Sequence, residues 1–368
     1  MHFVKPLLVL AFLAGVFAST DPPKVKKIWQ TIGRGETENS GSFIIIRTVL
    51  IPDTAYLAVN PESLTISLQP SRSLKFTPAT WNELRKYFAA TPYFKALAYA
   101  ADSVDPVRDA GLKWLCPGAK DGVELTFDLC PSYRPLDKKI FSEIVEKNGG
   151  ATRRPVSVGI AITGRWIERH PDEFCWLDSL ERDSVLSILW INHTMNHRAR
   201  RFLPRHANYF LEKGAKVSAE ILGTEKMLIE WGCMPSVFFR FPGLVADSAV
   251  FDSVLGYGLI PLSSDAWLAK GETPGEGSIV LVHANGNEPR GVKDVLAMID
   301  GVRQNPAGRQ WKFLDLRRGL IDSRKCIEND DADTTEWWRS GSGNGTLPLL
   351  REHSRARQEG GEEAGCGF

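Results

Sequence analysis

Between residues 115 and 322 the sequence repeats one alternation, short apolar runs separated by amphipathic stretches. The runs are VELTFDL, VSVGIAITG, LSILWINHT, SVFFRFPG, YGLIPLSSD, SIVLVHANG and WKFLDLRRG. Nearly continuous apolar strands interleaved with helices mark βα units, because a parallel sheet is covered by helices on its faces. About seven such strands predict an α/β fold, a distorted (β/α) barrel that almost closes, over residues 115–325.

The flanking regions read differently. Residues 19–114 hold strand-like SFIIIRTVLI and ESLTISL and a helical TPATWNELRKYFAATPYFKALAYAADSV with Thr80 as its cap, which predicts an N-terminal mixed α/β accessory region. Residues 326–368 are rich in Gly, Ser and mixed charge, bury too little to offset the entropy of ordering, and predict a disordered tail. Residues 1–18 read as a secretory signal peptide, with small residues in VFAS suited to cleavage after Ala18. The apolar run is too short for the roughly 20 residues of a membrane span. The chain is therefore expected to be exported, to the periplasm or beyond, and not to be an integral membrane protein.

Export places Cys116, Cys130, Cys175, Cys233, Cys326 and Cys366 in an oxidising compartment. None shows the C-x-x-C spacing of a structural zinc site. Cys116 and Cys130 flank one short loop and are either bridged or free. The 45 basic and 44 acidic side chains nearly cancel, which excludes the electrostatic footprint of a nucleic-acid binder and predicts no polyanion partner.

Polar residues fall at the ends of the apolar runs: Asp128 on the first, His193 on the third, Arg240 on the fourth, Asp265 on the fifth and His283 on the sixth. In parallel barrels active sites are assembled from such strand ends. His193 and His197 are four residues apart, so a helical turn after the strand would put both imidazoles within reach of one metal ion, zinc first. Arg240, following an apolar run, needs a carboxylate, and Asp128 and Asp265 are the candidates. His283 is either a satisfied core residue or a general acid poised near neutrality.

The ordered series TFDLCPS, HTMNH, RFPG, SDAW and VLVH, over roughly residues 122–322, resembles the five motifs of the polysaccharide deacetylase family, the NodB-homology carbohydrate esterases. The resemblance implies removal of acetyl groups, N-acetyl first, from an extracellular or envelope polysaccharide or amino-sugar oligomer. By position it makes Asp128 the base, His193 and His197 ligands of a divalent metal, His283 the general acid and Arg240 the residue that orients the base. Asp265 and Trp267 match the element that tunes the acid and walls the acetyl pocket, and the backbone at Gly243 would face the oxyanion.

Three positions depart from the family pattern: Leu129 stands where a metal-binding aspartate is usual, Cys130 where a glycine is, and Gly243 where an aromatic is. The third metal ligand is thus open between Cys130 as thiolate, Asp265 and a residue of the N-terminal region. A Cys130–metal bond excludes a Cys116–Cys130 disulfide. Leu129 also admits a non-catalytic glycan-binding or envelope-assembly protein on a degenerate barrel, and an amidase acting on small amides is a further alternative.

Overall fold

A computed structural model describes residues 24–37, 41–102, 110–115, 122–149 and 155–321. The signal peptide, the tail and Cys116 lie outside the described residues.

The chain begins with an antiparallel sheet of β1 (Lys27–Thr37), β2 (Gly41–Leu50), β3 (Thr54–Val59), β4 (Ile66–Pro70) and β5 (Lys75–Pro78), in the order β4-β3-β2-β1-β5. β2 is buried on both faces: Ile44 and Ile46 join the large core, while Phe43 and Ile45 pack with Ala58 and Leu74. The stretch expected as one helix is two, α1 (Trp81–Phe88) and α2 (Pro92–Asp102). Thr80 caps α1 in a reciprocal capping box with Glu83. Pro92, which has no N–H to continue a helix, opens the second.

The second part runs β6 (Gly122–Leu129), α3 (Lys138–Ile144), β7 (Val156–Ile162), α4 (Gly164–Arg169), α5 (Pro171–Arg182), β8 (Leu186–Asn192), α6 (Val217–Glu230), β9 (Pro235–Phe239), α7 (Ser248–Gly256), β10 (Ile260–Pro261), β11 (Ala266–Trp267), β12 (Ile279–His283), α8 (Pro289–Ile299) and β13 (Lys312–Phe313). Seven parallel strands form a curled half-barrel in the order β10-β9-β8-β7-β6-β12-β11, and β13 pairs beside β6. The α/β architecture expected from the apolar runs is the one observed. The runs supply every strand of it except β11.

Strand pleating sorts the side chains of β6. Val123, Leu125, Phe127 and Leu129 enter the outer core with Ile140, Phe141, Trp166 and Val295 of the covering helices. The intervening Glu124, Thr126 and Asp128 face the other way, as the period of two requires. On that side the core is continuous with the N-terminal sheet: Ile44, Tyr93, Leu97, Val237 and Phe239 belong to one cluster. Arg47 of β2, fully buried, is bound by both oxygens of Glu225 on α6, at 2.7 and 2.8 Å, and the Tyr93 hydroxyl donates to the Gly258 carbonyl at 2.6 Å. Among the described residues no helix is long and apolar enough to cross a membrane.

Candidate active site

The central strands β6, β8, β9 and β12 end in one cluster. Arg240, just past β9 and fully buried, donates from Nη1 to Asp128 Oδ1 at 2.6 Å and to Thr126 Oγ1 at 2.8 Å, and from Nη2 to the Ser263 carbonyl at 3.1 Å. Of the two carboxylates open to it, Asp128 is thus the partner. Burial pushes the Asp128 carboxyl up, but Arg240, His193 and His283 outweigh it and hold the group below the usual aspartate range. It is an ionised acceptor at neutral pH.

His193 and His197 do come together, with ring centroids 4.7 Å apart, but not on the helix the spacing suggested. The segment after β8 is a loop in which Thr194 (φ 70°) and His197 (φ 43°) take left-handed backbone conformations. Met195 locks it, seated where a Cβ on Gly164 or Gly223 would collide with its side chain. Asn196 donates to both carboxylate oxygens of Glu220 at 2.8 Å, one bond from its backbone and one from its side chain.

Cys130 is the third member of this group. Two residues beyond Asp128, it is a buried free thiol, so the bridge to Cys116 is not formed. Its Sγ lies 3.6 Å from His193 Nε2 and 3.4 Å from His197 Nε2. Asn285 Nδ2 donates to its carbonyl at 2.8 Å and fixes its backbone. Burial would raise its pKa, yet His197 and His283, with hydrogen bonds from His193 and His197, bring it well below the ordinary thiol range.

The donor set suits a divalent metal. One ligand atom from each of Cys130, His193 and His197 can be chosen with all three within 4.8 Å of one another. His193 Nδ1 is 2.8 Å from the Arg240 carbonyl, which only accepts, so Nδ1 carries a proton and Nε2 is the atom turned to Cys130, free to donate to the thiolate or, deprotonated, to give its lone pair to a metal. Metal-binding histidines are oriented in this way. One thiolate and two imidazoles match the three-ligand sets of catalytic zinc. Among the described residues, neither the N-terminal region nor Asp265 enters the cluster.

His283 also has a carboxylate partner, though not the one expected. His283 Nδ1 is 2.9 Å from Glu288 Oε2, and the same oxygen accepts from Trp267 Nε1 at 2.8 Å. Burial alone would lower the His283 pKa, but the Cys130 thiolate, the bond to Glu288 and the Asp128 charge raise it well above the ordinary histidine range. Trp267 stands by it as expected, ring centroids 5.5 Å apart.

Asp265 is not brought to the site. It accepts from Ser278 Oγ at 2.9 Å and from the Ile279 amide at 3.0 Å, beside the first residue of β12, whereas His283 is the last. The reason is topological: β11, too short to be legible, starts directly after Asp265 and runs parallel to β12, with Ala266 opposite Val280. Asp265 therefore marks the start of a strand, and Glu288, not Asp265, is the carboxylate beside His283. Nothing in the spacing of Glu288 signals that role.

Gly243 has φ +65°, and a Cβ there would meet the Tyr209 ring at 2.8 Å. Tyr209 also faces His197, ring centroids 6.3 Å apart. An aromatic ring at this position thus comes from another loop, and the glycine makes room for it.

No protein-family model matches the chain. The solved structures similar to it are family 4 carbohydrate esterases and deacetylases. A family 4 carbohydrate esterase from Bacillus anthracis is 21% identical over 58% of this chain and 88% of its own, with a TM-score of 0.40. Bacillus subtilis PdaA, of the same esterase family, is 12% identical over 72% and 94%, at 0.42. BA3943 from Bacillus anthracis, described as a pseudoenzyme of that family, is 14% identical over 58% and 70%, at 0.38. Similarity at this level transfers no residue roles, so the chemistry rests on the side chains themselves.

Proposed function

We propose that the protein hydrolyses acetyl groups, N-acetyl first, on an extracellular or envelope glycan. The observation that carries this reading is the opposed pair on adjoining strand ends. Asp128 is held ionised by Arg240, and His283 is held protonated beside Glu288. Groups whose environments push their pKa values apart supply the base and the acid of one reaction. Asp128 accepts a proton from the attacking water, and His283 donates one to the departing amine or alcohol. Arg240 keeps Asp128 ionised and aimed. Glu288 and Trp267 orient His283, and the backbone at Gly243 faces the developing oxyanion under Tyr209.

Cys130, His193 and His197 would hold a divalent ion, zinc by the softness of the thiolate. When bound, such an ion supplies a water with a pKa lowered to about 7 and a positive charge near the oxyanion. Export, which an acetylated wall or matrix glycan requires, is consistent with the N-terminal segment.

Leu129 favours a second reading, a glycan-binding protein without turnover, since that position contributes an apolar side chain to the outer core. Acetate release from N-acetylglucosamine oligomers decides between them. The proposal predicts release by the wild type, abolished in Asp128→Asn and in His283→Ala. Sugar binding without acetate release by the wild type would establish the second reading, and release surviving both substitutions would refute the proposed roles.

A further inference from the structure

The segment joining β8 to α6, residues 193–216, contains no α-helix or strand, only two short 3-10 turns. Loops of that length in a compact fold usually carry function. Two of its residues, twelve apart, mark the site: His197 belongs to the donor cluster, and Tyr209 packs on Gly243 and faces His197. The residues between them are tethered at both ends beside the site.

Its chemistry is one-sided. From His193 to Leu211 there are four arginines, Arg198, Arg200, Arg201 and Arg205, and no acidic residue. Residues 198–206 are exposed without a break. Glu212 pairs with Arg198 at 3.8 Å and Arg200 at 2.6 Å, and Arg201 and Arg205 have no ion pair among the described residues. Phe202 between them is 91% exposed, an unusual place for a large apolar ring.

The loop is nonetheless firmly built. Asn208, 5% exposed, accepts from the Arg200 amide at 2.8 Å and donates to the carbonyls of Arg200 and Leu203 at 2.7 and 3.2 Å. A buried amide thus holds an exposed cationic loop in one shape. Arginine forks bind carboxylate and phosphate oxygens in pairs, which lysine does not.

We infer that this loop is the glycan-binding rim of the site and that the substrate is an anionic acetylated glycan, bearing carboxylate or phosphate groups beside its acetylated sugars. Arg201 and Arg205 take the oxyanions and Phe202 lies against a sugar face. The inference rests on the proposed function and extends it to a substrate class. It also reverses the expectation from net charge, since a balanced sum does not register four arginines gathered at one site.

The test compares two hexamers, one alternating N-acetylglucosamine with glucuronate and one of N-acetylglucosamine alone, by calorimetric binding and by acetate release. The anionic hexamer should bind roughly tenfold tighter at low salt. The preference should fade at high salt, and the ratio should fall toward one in a correctly folded Arg201→Ala/Arg205→Ala variant. An N-acetylglucosamine oligomer linked by phosphodiesters separates the two oxyanion sources. The inference is overturned if neither anionic oligomer is preferred, if the preference survives the double substitution, or if the protein binds phosphatidylglycerol vesicles and no glycan. Acetate release without anionic preference sinks the rim alone. Anionic preference in binding without acetate release sinks the proposed reaction alone.

Discussion

Arg240→Met probes whether Asp128 is held ionised by one buried neighbour. The guanidinium is fully buried and makes two bonds from Nη1, to Asp128 and Thr126, and one from Nη2 to Ser263. Removing it leaves a buried carboxylate without its permanent counter-ion, since His193 is 3.7 Å from Asp128 and charged only when protonated. Breaking such a pair costs about 3–5 kcal/mol, most of it the penalty of the stranded charge. The double variant Arg240→Met/Asp128→Asn removes that charge as well and should recover about 2 kcal/mol or more of the loss.

The pH dependence should change sign. In the wild type the Asp128 pKa is depressed, so its contribution to stability is present above the unfolded carboxyl value and is lost as pH falls through the lower folded value. In Arg240→Met burial is opposed only by the histidines, the folded pKa rises, and stability should fall as pH increases from about 4. Urea unfolding of the three variants from pH 4 to 8, followed by tryptophan fluorescence, reads both effects. Additive costs in the double variant, or a loss under 1 kcal/mol in the single one, would refute the reasoning.

Two further outcomes follow from neighbouring groups. Glu288→Gln replaces the charged acceptor that raises His283 by a neutral one, so the basic limb of the acetate-release pH profile should move to lower pH with kcat falling more than KM rises; an unmoved limb would remove Glu288 from the support of His283. Glu124, fully buried with no hydrogen-bond partner for either carboxylate oxygen among the described residues, has its pKa pushed well above the usual range by burial. Its ionisation in the unfolded chain alone makes stability fall as pH rises above about 4.3, so Glu124→Met should stabilise by about 1–3 kcal/mol at pH 7 and gain little at pH 4, by urea titration.

How much of this was legible in the sequence depends on the physics of each signal. Parallel strands buried on both faces write continuous apolar runs, so β6, β7, β8, β9 and β12 were readable, and with them the positions of Asp128, His193, Arg240 and His283. β11 is two residues long and leaves no run, and Asp265 was therefore assigned to the wrong strand end. The His193–His197 pair was readable as a pair but not as a loop, because its closure depends on two left-handed residues and on room for Met195 beside two glycines. Tyr209 and Glu288 reach the site through loop geometry with no periodic trace. Cys130 was within reach: strand parity puts it on the face of Asp128, and Leu129 on the opposite one.

By that parity a thiolate would stand, one residue later, for the metal-binding carboxylate missing at Leu129. Cobalt absorption of the purified protein tests it directly. A thiolate-to-cobalt charge-transfer band in the near ultraviolet is expected at one metal per chain. In Cys130→Ala the band should vanish and affinity should fall by more than the roughly 100-fold that loss of an outer-shell partner can cost. Cobalt bound without that band, or equally well by the folded Cys130→Ala variant, would contradict it.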